Sequence, residues 1–166
     1  MPAPPLPTAH RTRVMALLGA WVALLAILLL EPSGRGPSWL IQTVAGMAHD
    51  VGLPARVSTP GSVGFALNVV AFAPVSFLGS LLWPRPTWRD WTAYGFVASF
   101  LVEVGQALAL EERTATHTDV VSNTLGALAG AVLAAAFVQV RERTPSEGRA
   151  DLPDRSTPAE QDQLPG

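Results

Sequence analysis

The 166-residue chain contains no cysteine and no lysine, and only 14% of its residues are charged. The absence of cysteine excludes disulfides, thiol chemistry and cysteine-ligated metal sites. A net charge of −2 without any block of basic residues gives no basis for binding to nucleic acid. The chain also has no Gly-rich phosphate loop and no nucleophile turn with Ser, His and Asp, and nothing in it calls for a cofactor.

Apolar residues make up 49% of the chain and are strongly clustered. Runs approaching ~20 apolar residues match the ~30 Å hydrocarbon thickness that a helix must cross. We therefore predict an all-α, polytopic membrane protein with four transmembrane helices, at about residues 14–30, 63–83, 92–110 and 119–140. Residues 1–13 and 141–166 are rich in proline or charge and are predicted to be disordered tails.

The first apolar segment follows Arg11 and Arg13 and therefore has the basic start of a signal peptide. Its apolar centre is long, however, and no small-x-small cleavage pattern closes it. We interpret it as a retained transmembrane helix.

The connection between the first two spans contains a second helical pattern. Ser38 can cap a helix in which Leu40, Val44, Met47 and Val51 share one face. This segment is either an amphipathic helix lying in the membrane interface or a surface loop with a helical turn.

Arginines are unevenly distributed between the two ends of the predicted bundle, and short loops with excess basic residues stay in the cytoplasm. One end carries Arg11, Arg13, Arg85, Arg89, Arg141 and Arg143, and the other carries Arg35, Arg56 and Arg113. We therefore expect both termini in the cytoplasm, with residues 31–62 and 111–118 outside.

Polar side chains interrupt three of the predicted spans near their outer ends. Counting at ~1.5 Å per residue places Asn68, Gln106 and Asn123 roughly 6 to 8 Å below the outer surface, with Glu103 one turn deeper and Asp119 at the rim. Glu103 and Gln106 share a helix face, as do Asp119 and Asn123. The spacing therefore predicts one polar layer shared by three helices.

A loop arginine completes this predicted binding site. Arg113 can turn back toward Glu103 or Asp119, because its forked donors suit a carboxylate. The predicted binding residues are Asn68, Glu103, Gln106, Arg113, Asp119 and Asn123. The structural alternative is that the three amides only hold the helices together. Glu103 favours a function, because an ionisable group within a span is costly.

Three further residues are assigned to helix packing. Gly126 and Gly130 form a small-xxx-small pattern on the same stripe as Asp119 and Asn123, which allows close helix approach. Pro74 is expected to kink its helix and free a carbonyl that a neighbour satisfies.

These motifs together resemble the VanZ-like family of bacterial integral membrane proteins, over residues 63–140. The matching positions are Asn68, Phe72, Pro74, Glu103, Gln106, Arg113, Asp119, Asn123, Gly126 and Gly130. Two positions depart from the pattern: Ser76 replaces a small residue after the proline, and Thr116 replaces an acidic residue before Asp119. The resemblance implies a plasma-membrane protein linked to glycopeptide susceptibility, since the founding member is associated with resistance to teicoplanin.

Three functions fit these residues. The polar layer can bind the headgroup of a lipid-linked cell-wall precursor or of a lipoglycopeptide, with membrane lipids as the other partners. Alternatively, Glu103 acts as the general acid or base of an intramembrane enzyme, steadied by Arg113. The third function is a non-catalytic scaffold. We predict no metal site, because His117, Asp119, Glu111 and Glu112 have no recognised ligand spacing.

Overall fold

The computed structural model describes residues 8–29, 31, 35–109 and 117–143, and no strand occurs among them. These residues form five helices: α1 (Thr8–Leu29), α2 (Arg35–Asp50), α3 (Pro60–Leu82), α4 (Trp88–Ala109) and α5 (His117–Arg143). The predicted all-α class is therefore confirmed.

Three of these helices, α1, α3 and α5, are long and apolar enough to cross a membrane. The fourth predicted span, α4, has 22 residues, the same length as α1. Its apolar character is diluted by Arg89 and Asp90 in the first turn and by Glu103 and Gln106 near the end. A four-span bundle is compatible with these lengths, with α4 as its most polar member.

The helices extend beyond the predicted spans at their polar ends. Residues 8–13, which we expected in the N-terminal tail, belong to α1, where the Thr12 hydroxyl donates to the Thr8 carbonyl at 3.1 Å. The helix continues because its backbone hydrogen bonds do not require apolar side chains. Similarly, α5 includes residues 141–143, with Arg141 and Arg143 in its last turn, where cations are favourable. The remainder of both predicted tails, 1–7 and 144–166, lies outside the described residues.

The connection between α1 and α3 contains the helical alternative rather than a loop with one turn. The 16-residue helix α2 packs on α3. Ala45 is buried, and a Cβ at Gly64 would lie 3.3 Å from Cδ1 of Ile41. One side of α2 is thereby fixed against the first turns of α3.

The core of the bundle is the contact of α5 with α3 and α4. Along α5, Ala127, Ala131 and Ala134 are buried. Small side chains allow the helix backbones to approach closely, which strengthens packing where lipid supplies no hydrophobic driving force.

Helix α1 packs on α3 and is held there beside the Pro74 kink. Proline has no N–H, so the carbonyl of Val70 loses its helical partner. The indole N–H of Trp21 donates to the Ala71 carbonyl at 2.8 Å, one residue beyond the carbonyl that we expected a neighbour to satisfy. An apolar groove of about 500 Å³ runs along this kink and is lined in part by Trp21, Pro74 and Phe77.

Candidate functional site: a polar layer between α3, α4 and α5

Two contacts fix the register of α4 against α5. A Cβ at Gly95 would overlap the side chain of Ala127, and the Asn123 amide donates to the Ser99 hydroxyl at 2.9 Å. Numbers rise along α4 as they fall along α5, so the two helices are antiparallel. One further turn along this register leads to Glu103 on α4 and to Asp119 on α5. These two carboxylates therefore lie at the same level of the bundle.

Asn68 of α3 reaches this same level. Its Nδ2 donates to Oδ1 of Asp119 at 2.9 Å, and both side chains are half-buried. Asp119 lies in the first turn of α5, where the helix dipole favours a negative charge. The pair therefore places a carboxylate and a carboxamide together between two packed helices.

A sealed polar floor lies one turn deeper. Ser99, Ser122 and Asn123 are all buried, and Ser122 donates to the Asp119 carbonyl at 3.1 Å. The Oδ1 of Asn123 is buried and accepts no hydrogen bond from the described part of the chain. Because buried polar atoms are usually paired, this carbonyl group is a high-cost feature of the bundle interior.

Gln106 is placed differently from the other amides. Its Nε2 donates to the Leu29 carbonyl at 2.5 Å, which ties α4 to the last turn of α1. It lies three residues beyond Glu103, or ~4.5 Å further along the helix. The side chain is buried, so its role in the structure is to close the bundle at the end of α1.

The order of depths therefore differs from our count along the sequence. Asn123 lies deepest, level with Ser99, while Glu103 and Asp119 lie one turn above it and Gln106 lies nearest the helix ends. The count assumed that the spans end together, whereas α5 begins at His117 and α4 ends at Ala109. Helix ends are staggered, and only contacts between neighbours establish levels.

Glu103 lies on the stripe of α4 that faces α5. Gly95 and Ser99, two turns and one turn before it, make the contacts with α5, and the Glu103 side chain is half-buried. The predicted partner Arg113 falls outside the described residues, so its place in the site stays a prediction.

The two glycines of α5 meet the backbone of α3. A Cβ at Gly126 would lie 2.5 Å from the Val69 carbonyl oxygen, and one at Gly130 would overlap the carbonyl oxygen of Ala73. This approach brings Asp119, on the same stripe, within reach of the short side chain of Asn68. The packing residues and the polar pair are thus parts of one helix contact.

The sequence analysis missed Ser99 and Ser122. Ser99 has a detectable signal, because it lies four residues before Glu103 and seven before Gln106, on one face of α4. Ser122 has a weaker signal, since serines in helices commonly bond to their own backbone, as this one does.

Within the described ranges, no three His, Asp or Glu side chains are grouped so that they could hold a metal ion. The polar groups that the structure brings together are carboxylates, carboxamides and hydroxyls. Such groups form hydrogen bonds to sugars, peptides and amines.

The sequence profile of VanZ/LLP1 matches residues 15–138, three quarters of the chain. The chain belongs to the VanZ/LLP1 family. This confirms the resemblance drawn from the polar and glycine motifs, and the match covers all of the polar layer. No curated protein and no solved structure matches the chain significantly.

Proposed function

We propose that this VanZ/LLP1 family member is a non-catalytic protein of the bacterial plasma membrane whose polar layer binds a lipid-anchored headgroup. The observation that carries the proposal is the Asn68–Asp119 pair, half-buried at the level of Glu103 above the sealed floor of Ser99 and Asn123. Hydrogen-bonding groups at this position are open to a ligand on one side only. A lipid-linked cell-wall precursor or a lipoglycopeptide such as teicoplanin offers sugar and peptide groups to such a layer.

The proposed orientation places the polar layer at the outer face. The start of α1, the α3–α4 connection and the end of α5 lie at the opposite end of the bundle and carry Arg11, Arg13, Arg85, Arg89, Arg141 and Arg143. Excess arginine in short segments favours the cytoplasm. A lipid-anchored ligand in the outer leaflet then presents its headgroup at the depth of the layer, without crossing the membrane.

The proposal is tested by the teicoplanin susceptibility of cells that carry the intact protein, Glu103→Gln, Asp119→Asn or no protein. The matched control is Asp50→Asn, which removes the same charge from an exposed carboxylate at the end of α2. Membrane abundance is measured for each variant by immunoblotting. We expect the intact protein and the control to change susceptibility equally, and both site variants to weaken that change at equal abundance.

Other outcomes separate the alternative functions. Abolition of the effect by Glu103→Gln, with Asp119→Asn unaffected, would indicate an intramembrane enzyme, because only one group would be indispensable. Equal susceptibility in every strain, at equal abundance, would exclude the link to glycopeptides. A scaffold would show effects that follow abundance alone.

A further inference from the structure

Helix α2 has an exposed apolar face that no other described element covers. The exposed fractions of its side chains are 68% for Trp39, 62% for Met47 and 76% for Val51, which follows the helix. Leu40 on the same face is also exposed. These residues recur at the spacing of one helix face.

The other two sides of α2 have different surroundings. Ile41 and Ala45 face α3, which fixes the rotation of the helix. Gln42 and His49 lie on a third side, which is polar and exposed. Since its rotation is fixed, α2 cannot turn its apolar face into the bundle.

The ends of α2 place it at the membrane surface. It follows the last turn of α1 closely, and the Glu31 carboxylate accepts the Gly36 N–H at 3.2 Å. Its contact with Gly64 lies in the first turns of α3. Both α1 and α3 are long and apolar enough to cross a membrane, so α2 lies beside the ends of two spans. At that depth an exposed apolar face meets the boundary between headgroups and acyl chains.

We infer that α2 binds the lipid surface at the end of the bundle that carries the polar layer, with Trp39, Leu40, Met47 and Val51 inserted at the headgroup boundary. Trp39 suits this depth, because indole rings collect at membrane interfaces. A second protein is a poorer fit, since stable interfaces use about 20–30 residues a side, far more than this strip contains. The inference is independent of what the polar layer binds.

The natural absence of cysteine allows a single-site test on the full chain. Four variants carry one cysteine each: Leu40→Cys and Met47→Cys on the apolar face, Gln42→Cys and His49→Cys on the polar face. All four positions are exposed in the protein alone, so any difference reports what covers the helix. Each is labelled with the NBD fluorophore and reconstituted in phosphatidylcholine liposomes.

We expect labels at 40 and 47 to show blue-shifted emission and strong quenching by spin-labelled lipids. Labels at 42 and 49 should be quenched by aqueous dithionite instead. Equal aqueous quenching at all four positions would overturn the inference, because the apolar face would then lie in water. Protection at 40 and 47 without lipid quenching, accompanied by cross-linking between copies, would overturn it in favour of a protein partner.

Discussion

Asn68 and Asp119 are 51 positions apart in the chain, yet the amide of one donates to the carboxylate of the other at 2.9 Å. The bond joins α3 to the first turn of α5, where Gly126 and Gly130 bring the two helices together. In a lipid environment both groups would otherwise lack a strong partner. The bond therefore couples the packing of the bundle to the geometry of the proposed binding site.

Removal of either partner should weaken this coupling measurably. A double-mutant cycle of Asn68→Ala and Asp119→Ala, read by unfolding of the reconstituted protein in SDS, should give a coupling of about 0.6 kcal/mol, up to about 1.7 kcal/mol. Asn68→Ala combined with Thr43→Ala, an exposed position on α2, serves as an additive control. A coupling of zero between Asn68 and Asp119 would show that their contact contributes nothing to the fold.

Gly130→Ala should destabilise the bundle by about 1–3 kcal/mol or more, because its methyl group would overlap the Ala73 carbonyl and the backbone of α3 must move. Gly126→Ala should act in the same direction, against Val69 and Phe72. Unfolding in SDS measures both effects.

The matched controls for the glycine variants are Gly19→Ala and Gly105→Ala. Both positions are helical, and a methyl group added at either would have no atom of a neighbouring helix within 4 Å, so alanine should be neutral or stabilising by up to about 1 kcal/mol. If the controls and the α5 variants lost stability equally, close approach between α3 and α5 would not be the cause.

Asp90 caps the start of α4, before the predicted span, and should show a lowered pKa. The backbone N–H of Thr87 and then its hydroxyl donate to the carboxylate at 2.7 and 2.8 Å, and they hold the pKa of Asp90 below its ordinary value. Since the folded pKa is the lower one, the cap is fully formed above the ordinary pKa and is lost as the pH falls through the lowered pKa. Helix fraying at Trp88 should therefore appear only in acid.

The measurement is an NMR titration of the Asp90 carboxyl carbon in micelles, assigned with Asp90→Asn. Thr87→Ala keeps the backbone donor and removes the hydroxyl, so it should move the pKa of Asp90 part of the way back toward its ordinary value. An unchanged titration in Thr87→Ala would show that the hydroxyl bond does not form.

Much of the fold is predictable from the sequence because lipid leaves a long apolar segment few alternatives to a helix. The second predicted span, 63–83, corresponds to α3 at Pro60–Leu82, and the fourth, 119–140, lies within α5. Periodicity likewise indicated the helix α2. The polar ends were less accurate, since residues 8–13 show no apolar pattern and are nevertheless helical.

The contacts of the polar layer were less predictable. The pattern placed Asp119 and Asn123 on one face, but it did not show that Asn68 would meet the first and Ser99 the second. It also grouped Gln106 with the other amides, whereas this side chain donates to the backbone of Leu29. A backbone acceptor occurs at every residue and leaves no signal in the sequence.

The sequence by itself determined that the chain forms membrane-spanning helices, which of their faces are polar and which are smooth, because those properties depend on residue type and helical period. Only the tertiary structure decided which faces meet and at what level. Register depends on how side chains of many residues fit together, here on Gly95 against Ala127 and Gly130 against Ala73. Those fits put Asn68, Glu103 and Asp119 on one level of the bundle, with Asn123 beneath them.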